Sequence, residues 1–579
     1  MRRRPLSAAL VATAALALAL GTVLIRSPRA EHEADAGAAR LTATERARVL
    51  EDQRAAGAAG DAPRLAAARG RLGRDALARA RGILDAWLAR RDPATGLLPH
   101  GTPPPRWTAG DVGADLWSHL LVAAHELEPT ALPALLVALD SERRICGPLP
   151  CTIRLAPARR APLEPRARIA GAVEFAADGL LPAAERFGAG PWLDRLAEVL
   201  DAVVARAAVV TPAGAIPAAD AESCGNFLQA AARLAHRTRD ERLIAAVERV
   251  ADAWLLHVVP ATGGLPAHAW DFARARPAVD RFHFRDHGAE IVPGLAEAYR
   301  LERALARPSA ARHREPLRRL LDAVLARGRT ADGLWADDLE LSTGRATGGP
   351  IDTWGYLLAA HALVDLADGT RGYAGPVRAA VEAAAARAGL DWEAGHPDGA
   401  ADAVESMLLF LPFVDSEQGR DFVDRQVPAI WARERPDGGA GAGYLDGNVV
   451  RSSLLYADWK SAGVAARPWR ADLALGAARD RGGAWVVRLE AATGWRGRLR
   501  FDLPRHRTVW SMPFAHPRRN APPEWLTVEP GARYLVRDLL AGVERGVSGA
   551  ELAAGLPVTA RAGVPVLLRV APEPGTATR

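Results

Sequence analysis

Residues 92–101 read DPATGLLPHG, and from Gly110 the chain continues GDVGADLWSHLLVAAH: a Gly/Pro/Asp loop opening onto a helix that is acidic at its start and apolar beyond it. The proline and glycines end the helical pattern that precedes them, and the stretch after the acids carries no second break. The same kind of loop returns as TPAGAIPAAD from Thr211, PATGGLPAHAWD from Pro260, TADGLWADD from Thr330, LDWEAGHPDG from Leu390 and RPDGGAGAGYLDG from Arg435. Units of about 50 to 70 residues accommodate two helices and their connections, so the recurrence predicts an array of helical hairpins.

The two partners of each hairpin differ. Segments 76–90, 193–207, 242–257, 316–327, 377–387 and 422–433 place Leu, Ile, Val and Trp at spacings of three and four with Arg, Glu and Asp between them, as helices with one wet face do. Segments beginning near Gly110, Ile169, Ala219, Arg285, Gly349, Ala401 and Asp446 are apolar over most of their length and gather polar residues at their N-terminal ends. A helix apolar nearly all round is enclosed by other helices, which predicts an inner ring within an outer one.

This pattern resembles the six-hairpin (α/α) toroid glycosidases and the related polysaccharide lyases over residues 71–463. The resemblance implies a mainly α fold, an (α/α)6 or (α/α)7 toroid, with a saccharide substrate at its mouth and no cofactor. After Pro468 the period changes to two. Strands are expected at 485–490, 498–503, 508–514, 525–529, 533–537, 557–560 and 564–570, forming a small C-terminal antiparallel β-sandwich. The expected organisation is therefore 1–30 targeting segment, 31–70 polar Ala/Arg/Glu-rich linker, 71–465 toroid and 466–579 β-sandwich.

Arginines at positions 2–4 precede an uncharged stretch from Pro5 to Ile25, long enough to cross a bilayer. The expectation is an N-terminal signal anchor holding the rest outside the cytoplasm, with cleavage and secretion as the competing reading. Cys146 and Cys151 bracket GPLP and are expected to form a disulfide there. Cys224 stands alone, and no metal site is expected from so few grouped ligands. The formal net charge of +6 comes with arginines spread along helix faces, and Lys460 is the single lysine; nucleic acid is not an expected partner.

Helix starts that converge on one mouth bring together acids distant in sequence: Asp111 and Asp115, Glu174, Glu222, Asp286 and Glu290, Asp352, Asp402 and Glu405, and Asp446. Each also suits helix capping. In RFHFRDHGAE, Phe282 and Phe284 stand ready to desolvate Asp286 as a general acid; in GPIDTWGY, Asp352 is the expected base, with Glu222 a third catalytic candidate. Substrate contacts are expected from Asp111, Glu174, Asn226, His287, Glu290, Trp354, Tyr356 and Glu405, and from Trp107, Trp117, Trp270, Trp335 and Trp392 near the loops. The expected activity is hydrolysis of glycosidic bonds by paired carboxylates. A uronate lyase using Tyr356, Tyr444, His287 and Asn226, and a non-catalytic surface toroid, are the alternatives.

Overall fold

Glycines set the spacing of the inner helices. A Cβ on Gly225 would fall 2.2 Å from the Glu290 carbonyl carbon, one on Gly355 2.6 Å from Ser406 Cα, and one on Gly447 1.7 Å from the Asp115 carbonyl oxygen. Only hydrogen fits at these junctions, and neighbouring backbones approach to contact there. The computed structural model describes residues 39–101, 105–387, 389, 391–434, 445–519 and 521–574; the side chains of Asp286, His287, Ala394 and Pro397 are also outside its described part.

Among the described residues seven inner helices form the ring: 109–127, 165–187, Ala221–Thr238, Ile291–Ala304, Trp354–Asp368, Pro397–Phe410 and Asp446–Ser461. Each packs against the next, and the last packs against the first. Contacts advance in step along neighbours, from Gly225 beside Glu290 to Arg233 beside Glu297. The inner helices are therefore parallel, with all their N-termini at one end. The outer helices pack around the ring: Ala62–Arg90 precedes the first inner helix, and Leu132–Cys146, Pro191–Val204, Glu241–Asp252, Ser309–Ala326, Ala374–Ala386 and Glu417–Trp431 run between successive inner ones.

Two expectations change here. Residues 43–70, expected to belong to a polar linker, form helix Ala43–Ala59 and the first turns of Ala62–Arg90. Their alanines and glycines serve close packing: a Cβ on Gly476 would lie 2.1 Å from the Ala66 carbonyl oxygen, so strand Leu473–Arg479 lies directly on this helix. Second, 508–514 and 525–529 are not strands. Residues 505–526 leave the β region and enter the ring, where burial of polar groups against helices replaces strand pairing.

The strands of the C-terminal region make two antiparallel sheets. Ala465–Arg467, Trp495–Arg500 and Leu556–Ala560 form one; Leu473–Arg479, Trp485–Ala491, Val566–Pro572, Arg533–Asp538 and Glu544–Ser548, in that order, form the other. Leu489, Leu499, Val528 and Tyr534 fill the space between. The Cys146–Cys151 disulfide is formed, with Cα atoms 5.5 Å apart, and Cys224 is a buried free thiol. The segment 1–30 lies outside the described residues; among the described ones no helix is long and apolar enough to cross a membrane.

Candidate active site

The N-terminal ends of the inner helices face one mouth, and polar residues from six of the seven line one cavity there. Asp115 comes from the first inner helix, Asp178 from the second, Glu290 from the start of the fourth, Tyr356 from the fifth, Asp398 and Asp402 from the sixth, and Asn448 and Arg451 from the seventh. An adjoining cavity is lined by Asp352, Asp337, Glu393 and Arg285 together with Asp398 and Asp402. Carboxylates crowded this closely are tolerable only with cations among them.

Arg451 and Arg519 supply those cations in the first cavity and Arg285 in the second. Arg451 pairs with Asp402 and, at 3.1 Å, with Glu405, while the Tyr356 hydroxyl donates to Glu405 at 2.9 Å and to Asp402 at 3.3 Å. Burial opposes the Arg451 charge, but Asp402 and Glu405 outweigh it and hold the guanidinium protonated. Burial first, then the same two carboxylates, push the Tyr356 phenol well above its ordinary range. Arg519, the second cation, arrives from the β domain. It pairs with Glu290 and Asp178 and donates to Asn226 Oδ1 at 2.9 Å.

The expected residues fall into three groups. Asp352, Glu290, Tyr356 and Glu405 reach the mouth or the groups that line it, and Asn226 sits fully buried beneath it. Asp111 accepts from Thr108 Oγ1 at 2.9 Å within its own first turn, Glu174 lies against Gly110 between the first two inner helices, and Glu222 is half-buried in the first turn of the third; none of these lines the two cavities. Asp446 accepts from Trp87 Nε1 at 2.8 Å. The side chains of Asp286 and His287 lie outside the described residues, on the short turn Asp286–Ala289, and Tyr444 lies in a segment that is not described.

The tryptophans are core. Trp107, Trp117, Trp335, Trp354 and Trp392 are fully buried, and Trp354 stacks on Phe410 rather than on an open subsite. The choice between packing and stacking that an aromatic at helical spacing presents is decided here by burial within the helix layers. Sequence reading missed Asp178, Asp337, Asp398, Asn448 and Arg519. Asp178 lies in a π-helical stretch, Phe175–Leu180, whose extra residue per turn rotates side chains away from the 3.6-residue register used to place the helix face.

Burial pushes the Asp337 carboxyl up, against the Gly349 N–H and Arg285, which pull it down. Asp337 stands on strand Ala336–Glu340, whose neighbours are Arg281–His283 and Ala346–Pro350, so one small sheet carries it to the rim beside Asp352. At the same rim Glu393, His396 and Asp398 bring one ligand atom each within 4.8 Å of one another. Three largely exposed groups fall short of a closed coordination shell.

A closed ring of parallel inner helices, outer helices between them and an acid-lined mouth at one end decide the architecture. The molecule is an (α/α) toroid, with seven hairpins among the described residues. Among solved structures the toroid is similar to an α-1,6-mannanase of a Salegentibacter species, crystallised with α-1,6-mannotriose, at 12% identity over 66% of this chain and 98% of that one, with a TM-score of 0.40. It is also similar to cellobiose 2-epimerase of Spirochaeta thermophila, at 14% identity over 65% and 94% with a TM-score of 0.38, and to an unsaturated glucuronyl hydrolase specific for heparin, at 12% over 52% and 88% with a TM-score of 0.34. No protein-family model matches the chain, and no curated protein does. The toroid assignment rests on the helix packing itself.

Proposed function

We propose that this toroid is a carbohydrate-active enzyme that hydrolyses glycosidic bonds of a poly- or oligosaccharide at its mouth. One observation carries the reading: Asp352, Asp337, Asp398 and Asp402, from three separate segments, line a single cavity open at the N-terminal end of the ring. Hydrolysis needs two carboxyl groups in different protonation states across one cleft.

The surroundings divide the roles. Asp402 is held in place beside the cleft by Arg451 and by the Tyr356 hydroxyl, where a carboxylate is suited to stabilising positive charge at the anomeric carbon. Asp352 Oδ2 lies where a Cβ on Gly399 would be 2.5 Å away, against the first turn of the sixth inner helix, and its Oδ1 accepts from the Thr353 N–H at 2.8 Å. A carboxylate at a helix N-terminus is favoured in its ionised form, which suits the base. The acid comes from the facing segment, as Asp286 or as Asp337; the Phe284 carbonyl meets Thr353 Oγ1 at 3.5 Å, and the Phe284 N–H donates to the Asp337 carbonyl at 2.8 Å, tying that segment to the Asp352 helix. The acid gives its proton to the glycosidic oxygen as the bond to the anomeric carbon breaks; Asp352 takes a proton from the water whose oxygen bonds that carbon.

Asp352→Asn is expected to abolish release of reducing sugar from a glycan panel while its melting temperature stays near that of wild type. Asp286→Asn and Asp337→Asn assign the acid, since only one of them should match that loss. The lyase alternative requires a tyrosine that gives up its proton, and the raised phenol of Tyr356 opposes it. A loss of about 10²–10⁴-fold in Tyr356→Phe, with ultraviolet-absorbing unsaturated products, would replace hydrolase by lyase.

The proposal extends to location: an envelope protein anchored through its first 30 residues. The Cys146–Cys151 disulfide supports an oxidising compartment. Added protease that leaves the toroid intact in spheroplasts, and degrades it only after lysis, would overturn this placement.

A further inference from the structure

The toroid has a second end, and the β domain fills it. Between strands Trp495–Arg500 and Arg533–Asp538 the chain leaves the sheets and runs up the ring axis from the C-terminal ends of the inner helices. Its contacts climb in order. Trp510 Nε1 donates to Glu185, near the end of the second inner helix. His516 Nε2 meets Glu297 of the fourth at 3.1 Å, and Arg518 pairs with Glu185 at 2.6 Å. Arg519 then reaches the mouth, touching Asp178, Asn226 and Glu290, with its guanidinium 5.7 Å from the centre of the Tyr356 ring. Ala521 and Pro522 share a small cavity with His119, Pro182, Glu405 and Leu454. These contacts reach the second to fifth inner helices, and the shared cavity brings the segment beside the first, sixth and seventh.

Depth is therefore limited from below. His516, Arg518 and Arg519 are each more than nine-tenths buried, and their partners Glu185, Glu290 and Glu297 are as well, so the plug is fixed by charge pairs that water does not reach. Arg233 at 3.0 Å and Arg300 at 2.8 Å also hold Glu297 from the ring side. Above Arg519 the cavity is narrow and walled by polar groups of the inner helices, among them Asp115, Asp178, Glu290, Tyr356 and Arg451. A polymer passing through the axis would have to displace the arginine and leave Asp178 and Glu290 buried without it.

We propose that the mouth is a blind pocket, floored by Arg519 of the β domain, which takes the terminal residue of a saccharide chain rather than an internal stretch. This rests on the saccharide reading above but makes a separate claim, about which part of the chain is bound. Polar groups dominate the pocket wall, so a ring with all its hydroxyls exposed, as a chain terminus has, satisfies more of them than a doubly substituted internal residue.

The test uses the full-length protein and three linear substrates tagged at the reducing end: α-1,6-mannohexaose, cellohexaose and chitohexaose. Early products are resolved by length, and binding of Asp352→Asn is measured on an array of oligosaccharides paired so that members share either a terminus or an interior. The expected result is stepwise shortening from the untagged end, with changes of terminus altering binding about tenfold or more and changes of interior leaving it nearly level. Internal fragments at early times would overturn the blind pocket and leave the hydrolase standing. Terminus-selective binding without turnover of any substrate would leave the pocket and overturn hydrolysis. Neither turnover nor binding would overturn both.

Discussion

Arg519 and its partners Asp178, Asn226 and Glu290 come from distant parts of the chain and meet more than nine-tenths buried at the floor of the mouth. Removing one member of such a set leaves the others as uncompensated buried charge, so Arg519→Met should cost about 3–5 kcal/mol in urea unfolding. Adding Asp178→Asn and Glu290→Gln to that variant should recover much of the loss. A cost no larger than that of an exposed ion pair, about 0–1 kcal/mol, would contradict the buried-set account. Asp352 offers a different kind of test, because its position depends on a neighbour without a side chain. Gly399→Ala puts a methyl group onto Asp352 Oδ2 and should lower turnover by about 10²-fold through misplacement alone. Turnover beside a melting curve checks this; full activity in the alanine variant would show that Asp352 does not need its place against the sixth helix.

At the scale of helices, close backbone approach is the device that sets ring size. Gly225→Ala should destabilise by about 1–3 kcal/mol or more, because its Cβ meets the neighbouring helix backbone, which cannot move aside as a side chain can. Gly57, in helix Ala43–Ala59, has nothing within 4 Å of the corresponding position, and Gly57→Ala should stabilise by about 0.4–1 kcal/mol. Opposite shifts of the two melting temperatures are the expected outcome. These elements differ in how legible they were. Inner helices were readable because an apolar surface all round and an acid at the start are local properties, as the GPIDTWGY segment illustrates. The segment HPRRNAPPEW was not, since its arginines have meaning only against Glu185 and Glu290, and alternating polarity around Trp510 imitates a strand. Asp337 was passed over for a related reason: it belongs to a strand in a loop, and nothing near it in sequence shows that this strand delivers it to the Asp352 rim. For the tryptophans the sequence leaves core and subsite both open, because it places them near the mouth without giving their depth.

For the molecule as a whole, the seam between the last hairpin and the first helices contains the one lysine. Lys460 is fully buried, bonded to Asp424 and Gln53 at 2.7 Å each and lying over the rings of Trp459 and Tyr456. Burial, opposed by Asp424, pushes its ammonium down to about 7 from an ordinary 10.5. Between these values the unfolded chain holds a proton that the folded chain has released, so this group's contribution to stability rises with pH across that window and is lowest below it. Wild type should therefore gain on Lys460→Met from pH 7 to 10 in urea unfolding; a constant difference would mean that Lys460 stays charged throughout. The axial plug has a consequence for how the molecule is made. Synthesis delivers the N-terminal hairpins first and residues 505–526 near the end, so a nascent ring carries Glu185, Glu290 and Glu297 in its lumen before their C-terminal cations exist. The finished pocket appears only when translation is nearly complete, and a chain truncated after Ser461 would be a ring whose bore lacks Arg518 and Arg519, open to proteolysis and unable to act before it is whole.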